Sequence, residues 1–331
     1  MILPEPTDIA APVFAPAVSV LMPMRDAGEY LQAAVDSILL QDHGNLELII
    51  IDDGSRDGSR ERVHAMSDPR VRLVDGPRAG ISACLNAGLA RACGAIVMRC
   101  DADDLFPPGR VRRQWEWLQR HADFVAVCGA FSMIGPNGAS IASPLREFDQ
   151  EALDAAERIL DGRLKTHLCA FAVRREAVER LGGFRSWFET AEDIDFALRL
   201  AEQGPVGFDP FDAYRYRLHG SSITHTQASV RRRFFEDQAR AMSRERLATG
   251  ADALMRGHPP AMPPPDSARA SRPDSARLHI AQMLVGQSWQ AFSGGRKRSA
   301  IAAAARAIAA SPMHGAAWKA LLLVTLRPTP R

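Results

Sequence analysis

Between residues 18 and 134 the hydrophobic positions switch repeatedly between two periods. Residues 18–22 and 46–51 are unbroken apolar runs of strand length. Between them Tyr30, Leu31, Val35, Ile38 and Leu39 recur at helical spacing, which predicts an amphipathic helix over 29–40. Asp68-Pro69 breaks the chain before a short strand over 71–74. Ile81, Cys84, Leu85 and Leu89 then mark a second helix, followed by a strand over 95–98. A helix from about 108 to 120 and a strand over 124–128 complete the run. Alternation of this kind predicts an α/β fold with a mainly parallel central sheet and helices on both faces.

Beyond residue 134 the pattern loosens. Pro136-Asn137-Gly138 predicts a hairpin tip. Helical segments are expected over 150–160, over 174–181 with Gly182-Gly183 closing it, and over 192–203. A late strand is expected over 214–218, and a charged helix over 229–247 leads out of this region. Residues 256–275, with Pro259, Pro260, Pro263, Pro264 and Pro265, cannot hold a helix. The remainder is helical by pattern, in two segments separated at Ser293-Gly294-Gly295. Its stretch 307–323, with Ser311-Pro312 at a helix junction, has the look of one tetratricopeptide unit. The chain thus divides into a flexible N-terminal segment (1–16), a main domain (17–250), a proline-rich linker (251–275) and a small helical tail (276–331).

Composition narrows the function classes. With 331 residues, 46% hydrophobic and 24% charged, the chain can bury a full core. A net charge of +2 lacks the excess of Lys and Arg that a nucleic-acid partner requires, so none is expected. Five cysteines without a Cys-x-x-Cys pair fit neither a disulfide framework nor a zinc site, and read as small buried hydrophobes. The first seventeen residues lack the basic and apolar regions of a signal peptide. The apolar stretch 316–326 is interrupted by Lys319 and falls short of the roughly 20 residues a spanning helix needs. The expected setting is the cytoplasm, with peripheral attachment to the inner membrane left open.

Four charged clusters are read as sitting where predicted strands end, the edge at which open α/β sheets bind ligands. Asp52-Asp53-Gly54-Ser55 offers two carboxylates to a base N–H or ribose hydroxyls, although a solvated turn would look the same. Asp101-Ala102-Asp103-Asp104 offers oxygen ligands of the kind a hard divalent cation takes alongside substrate phosphates. Three carboxylates converging there would repel one another without a cation, and the plainer reading makes Asp104 the cap of the helix that Pro107-Pro108 begins. Thr190-Ala191-Glu192-Asp193-Ile194-Asp195 fits a helix start capped by Thr190, or a carboxylate serving as general base. In Tyr216-Arg217-Leu218-His219, Arg217 could steady charge on a leaving group, and His219 is either a metal ligand or structural.

In this order and at these separations the clusters resemble the family 2 glycosyltransferases of GT-A fold. The resemblance spans about residues 17–225 and starts with residues 18–23, ending on Pro23. It is strongest at 51–59 and continues through 80–88, 101–104, 182–184, 191–195 and 216–219. It implies an inverting transfer of a sugar from a nucleotide-diphosphate donor, a UDP-sugar foremost, to a hydroxyl of a carbohydrate or lipid-linked acceptor in bacterial surface polysaccharide or glycolipid synthesis. Pro23, Asp52 and Asp53 are then nucleotide contacts, Asp101 a ribose or metal contact, and Asp103 the main ligand of Mn²⁺ or Mg²⁺. Asp193 is then the general base, and His219 assists the metal. Arg25 and Arg78 add positive charge beside the nucleotide pocket, which suits a diphosphate. The Gln-x-x-Arg-Trp motif of processive synthases is absent after Asp193, so a single-sugar enzyme is expected. Two other readings stand beside this one. A sugar-nucleotide nucleotidyltransferase would want a Gly-rich loop where residues 23–30 hold one glycine. A non-catalytic donor-binding scaffold would use the helical tail to recruit a protein partner.

Overall fold

The computed structural model describes residues 15–142, 154–164, 166–219, 229–262 and 276–328. The expected N-terminal segment up to residue 14, the start of the helix expected from 150, and linker residues 263–275 lie outside the described residues.

Strands β1 (Val18–Met24) and β2 (Leu46–Asp52) are buried along their whole length. Such runs suit strands covered on both faces, as parallel strands inside an α/β sheet are. β3 (Val71–Asp75) pairs with β2, β2 with β1, and β1 with β4 (Ile96–Arg99), all in parallel. Parallel neighbours need crossovers, which α1 (Leu31–Leu39), α2 (Ser59–His64) and α3 (Ile81–Leu89) provide. Cys84 and Leu85 of α3 pack into one core with Leu21, Ile49 and Ile51. Contact is close: a Cβ on Gly88 would stand 2.7 Å from Ile51 Cδ1. The strand order β3-β2-β1-β4 reverses between β1 and β4. That reversal opens a crevice beyond the carboxyl ends of β1 and β4, the place where α/β sheets bind ligands.

On the far side of β4 the sheet becomes antiparallel. β7 (Phe171–Arg174), a strand the sequence pattern did not predict, lies between β4 and β5 (Ala126–Ile134) and is antiparallel to both. Its four residues lead straight into α6 (Arg175–Leu181), which ends on Gly182 at φ 69, as expected. The strand itself has only three apolar residues, too few to stand out in the sequence. β5 returns to β6 (Ser140–Ala142) through the predicted turn, in which Gly135 donates its N–H to Ala139 O. β8 (Val206–Arg217) pairs with β5 and is far longer than the 214–218 expected, because Asp209, Pro210 and Asp212 disguise its first half. The remaining helices here are α4 (Arg110–Arg120), α5 (Ala156–Leu160), α7 (Glu192–Gln203) and the long Ser229–Thr249.

The chain groups into two units. The first comprises residues up to 131, 145–215 and 235–260, and holds the parallel strands with their covering helices. The second comprises 132–144, 216–234 and 261 onward. Its tail is three helices, Ala276–Ser293, Lys297–Ala310 and Gly315–Leu326, separated around Gly294-Gly295 and at the expected Ser311-Pro312 junction. Small residues (Ala300, Ala304, Ala307, Ala317 and Ala320) are fully buried where these helices meet. Ile141 of β6 packs against the cluster of Leu284, Ala307 and Ala317.

Candidate active site

The register fixes the level of the site. Met24, Asp52 and Asp75 end their strands opposite one another, and Arg99 ends β4 opposite Leu21. Leu21 O accepts from Cys100 N–H on the β4 side, so Pro23, two residues on, faces that side after β4 has ended. Its missing N–H therefore costs no ladder bond, which is how a proline is accommodated inside a central strand.

The first acidic turn is tightly held. Asp53 N–H donates to Met24 O, and Gly76 N–H donates to Asp52 O, both at 2.8 Å. Asp52, almost fully buried, accepts from Ser55 N–H (2.9 Å) and Arg60 Nη1 (3.1 Å). Burial pushes its carboxyl up, but the bonds from Ser55 and Arg60 outweigh this and hold it below the usual carboxylate range. Asp53 accepts from Arg78 N–H at 2.6 Å, with Arg78 in the left-handed region at φ 54. The Arg78 side chain lies over Gly54, where a Cβ would come within 2.9 Å of Arg78 Nε. Gly76 is equally constrained: a Cβ there would meet Asp53 Oδ1 at 2.8 Å. The loops after β1 and β2 lock together, Asp26 accepting from Arg56 N–H and Asp57 from Gly28 N–H. Asp52, Asp53 and Arg78 are thus brought together at the ends of β2 and β3.

At the second turn the three carboxylates do not converge, contrary to expectation. Asp101 is gripped by Arg99, with Nε to Oδ1 at 2.7 Å and Nη2 to Oδ2 at 3.2 Å. Asp104 is fully buried and accepts from Tyr214 Oη at 2.5 Å; the same hydroxyl accepts from Asp101 N–H at 3.1 Å. Asp104 does not cap α4 either, since that helix starts after Gly109 at φ 76. Asp103 is half-buried between these two anchored neighbours. Arg99 and Tyr214 thus engage two of the three carboxylates separately.

The third cluster meets the second through Arg99. Its Nη1 lies 3.1 Å from Glu192 Oε1 while its other nitrogens hold Asp101. The first turn of α7, which carries Asp193, therefore lies against the acidic turn after β4. Burial and the charge of Asp193 push the Glu192 carboxyl up against the pull of Arg99. Thr190 is not the cap of α7, as had been expected. The cap is Ala191, in the left-handed region at φ 59, with no side-chain bond to the helix. A left-handed alanine is strained, and such strain gathers at functional sites. Asp193 is half-buried and accepts from Ile194 N–H at 2.9 Å. Asp195 is structural: it is fully buried and gripped by Arg185 and Arg199.

Arg217 and His219 belong to the second unit and are both buried. Arg217 Nη1 donates to Pro136 O at 3.0 Å and to Gly135 O at 3.2 Å, which ties the end of β8 to the hairpin turn. The residues after His219, Gly220 to Ser222, lie outside the described residues.

Arg99 and Tyr214 escaped the sequence reading. Arg99 had a visible signal, a charge closing an apolar strand directly before an acidic turn. Tyr214 had none, because its partner Asp104 lies 110 residues away.

Among the described residues no three His, Cys, Asp or Glu side chains cluster as a ready-made cation cage. That donor set still fits Mg²⁺ or Mn²⁺, since such ions are commonly held by one or two carboxylates, with water and substrate phosphates filling the remaining positions. Asp103, and Asp101 beside it, supply that minimum.

Comparison with known proteins agrees with this architecture. The model of glycosyl transferase family 2 matches residues 19–182. EpsE of Bacillus subtilis (strain 168), which carries a glycosyltransferase name, is 30% identical over 211 residues, covering 61% of this chain and 73% of that protein. The hyaluronan synthase of Pasteurella multocida is 28% identical over 222 residues, 66% of this chain but only 22% of that protein, so the chain spans about a fifth of this relative. Among solved structures, residues 1–349 of TarS from S. aureus in complex with UDP-GlcNAc superpose with a TM-score of 0.58 at 15% identity, covering 89% of this chain and 81% of that one. The mannosyltransferase PcManGT from Pyrobaculum calidifontis, in complex with GDP-Man and Mn²⁺, gives 0.53 at 23% identity, covering 96% and 82%. These two likenesses establish the fold, which is GT-A.

Proposed function

Because the chain belongs to glycosyl transferase family 2 and is a glycosyltransferase of GT-A fold, we propose that it transfers a sugar with inversion from a UDP-sugar to an acceptor hydroxyl. The observation that carries this reading is the Arg99 bridge. It joins Asp101, on the turn that would face the donor diphosphate, to Glu192, the residue before the base candidate Asp193.

In this reading Asp52 and Asp53 accept hydrogen bonds from the base and ribose, and Pro23 walls the nucleotide crevice. Arg78 sets its charge beside the diphosphate and orients Asp53 through its backbone N–H. Asp103, with Asp101, would hold Mn²⁺ or Mg²⁺, and such an ion supplies Lewis-acid stabilisation to the departing nucleoside diphosphate. Asp193 takes the proton of the acceptor hydroxyl as that oxygen attacks the anomeric carbon from the face opposite the leaving group, which inverts the centre.

The choice of UDP is supported by the TarS complex with UDP-GlcNAc, and that of Mn²⁺ by the PcManGT complex, although the latter carries GDP-Man. A role in surface polysaccharide or glycolipid assembly, at the cytoplasmic side of the cell, is supported by the relatives named hyaluronan and chondroitin synthase. The acceptor is then a carbohydrate or lipid-linked hydroxyl. Incubation with a panel of UDP- and GDP-sugars and Mn²⁺, following nucleoside diphosphate release, tests the assignment. Release is expected with a UDP-sugar and should fall by at least about a hundredfold in Asp103→Ala and in Asp193→Ala, the scale of losing a general base. Release that survives both changes would remove Asp103 and Asp193 from the site. The anomeric configuration of the product, read by NMR, decides inversion.

A further inference from the structure

The three tail helices carry charge of one sign. From Ala276 onward the sequence has eight Lys and Arg and no Asp or Glu, whereas the preceding 275 residues hold 33 basic and 39 acidic residues. A chain that is nearly neutral overall therefore concentrates a +8 segment at this end.

The last helix, Gly315–Leu326, is apolar on two sides. Ala317, Ala320 and Val324 form its inner row and are fully buried. Trp318, Leu322 and Leu326, spaced four apart on the outer side, are 54%, 58% and 71% exposed, and Met313 just before the helix is 95% exposed. The outer row of a solvated helix is ordinarily polar. The Trp318 indole N–H already donates to Pro312 O at 2.8 Å, so its polar edge is satisfied and the ring is fixed at the surface. Lys297 Nζ donates to Arg327 O at 2.9 Å. This bond sets the start of the helix Lys297–Ala310, with exposed Arg296 and Arg298, beside the end of the apolar row. Lys319 flanks Trp318 on the exposed side.

An apolar row containing tryptophan, edged by basic side chains and free of acids, has the chemistry of a helix that lies in a membrane interface. We propose that this face docks the protein on an anionic lipid surface. Trp318, Leu322 and Leu326 enter the headgroup boundary, while Arg296, Lys297, Arg298 and Arg327 neutralise lipid phosphates. The contact is peripheral, since among the described residues no helix is long and apolar enough to cross a membrane. A second copy is a poorer occupant, because pairing two such faces would bring two acid-free basic segments together.

Co-sedimentation of the full chain with vesicles tests this. The protein is expected to pellet with phosphatidylcholine vesicles containing phosphatidylglycerol at low salt, to be released at high salt, and to ignore phosphatidylcholine alone. Neutralising the basic edge (Arg296→Gln, Arg298→Gln and Arg327→Gln together) should weaken partitioning on the order of a hundredfold. Leu322→Gln with Leu326→Gln should weaken it about tenfold or more. All these positions are at the surface, so both variants should keep the wild-type circular dichroism. Failure to bind anionic vesicles at low salt overturns the proposal, as does binding that both variants leave unchanged. Self-association of the wild type that Leu322→Gln with Leu326→Gln dissolves would also overturn it, by giving the face to a second copy.

Discussion

Arg99 is the residue on which the geometry turns. One guanidinium, mostly buried, holds Asp101 through two nitrogens and Glu192 through the third. Burial works against its charge, but Asp101 above all, with Cys169 and Glu192 beside it, outweighs that and keeps it protonated. Arg99→Met would strand Glu192, which is more than nine-tenths buried, beside an Asp101 that remains about a quarter exposed. Removing one partner of a buried pair costs about 3 kcal/mol, and the exposure of Asp101 lowers that here to about 2 kcal/mol. The variant should therefore melt several degrees lower and lose about tenfold or more in kcat/KM. Adding Glu192→Gln removes the buried acid whose charge burial already opposes. The double variant should recover most of the lost melting temperature without recovering activity, because Asp101 still lacks its clamp. Recovery of both would reduce Arg99 to a structural residue, and recovery of neither would separate Glu192 from it. Thermal melts and donor-release kinetics on the three proteins distinguish these outcomes.

Among the elements, α7 is held from both ends. Its first turn meets the acidic turn after β4 through Glu192 and Arg99. Its middle is tied to the helix Ser229–Thr249 and the segment after it by a buried chain of ion pairs. Asp195 meets Arg185, Arg185 meets Asp252, Asp252 meets Arg246, and Arg246 meets Glu202. Burial pushes the Asp252 carboxyl up, but the Met255 N–H and the two arginines win and hold it below its ordinary value. A depressed carboxylate contributes stability above its unfolded value, near 3.8, and that contribution is lost as pH falls through the folded value. Asp252→Asn should therefore cost about 3 kcal/mol at neutral pH and much less at acid pH, where wild type and variant curves converge. Denaturant titrations at several pH values check this, and a constant gap would assign the loss to packing. None of these pairs was legible in the sequence, where Asp195 looked like one more acid at a helix start and Asp252 like the beginning of a linker. What was legible is local. β1 and β2 are unbroken apolar runs, β2 and β4 lead into the acidic turns, and α7 had both its ends correctly predicted. β7 was not, because its three apolar residues, Phe171, Ala172 and Val173, are too few to stand out as a strand directly before a helix. The first half of β8 was masked by Asp209, Pro210 and Asp212, whose pairing with β5 is decided by tertiary contacts.

For the molecule as a whole, the question is whether the catalytic domain proposed at 17–250 stands without the tail. The sequence suggests a bead on a proline-rich string. Two contacts within the second unit argue otherwise. Ile141 of β6 packs on Leu284, Ala307 and Ala317, and Arg306 Nη2 donates to Ser140 O (2.6 Å) and Ile141 O (2.9 Å). The hairpin they cover is continuous with β5, the strand that also pairs with β7 and β8 in the sheet. A chain stopped at residue 262 would expose Ile141 and free both carbonyls to water, a loss of about 1–2 kcal/mol from uncovered apolar area and one charged hydrogen bond. For a chain of this size that corresponds to a melting temperature lower by about 2–4 °C. The acidic turns after β2 and β4 and the start of α7 all lie in the first unit, so donor-dependent nucleoside diphosphate release should persist below the new melting point. Calorimetry and release assays on the shortened chain test both halves. An unchanged melting temperature would restore the bead-on-a-string division. Loss of release in a chain that still melts cooperatively would mean that the tail takes part in turning over the donor.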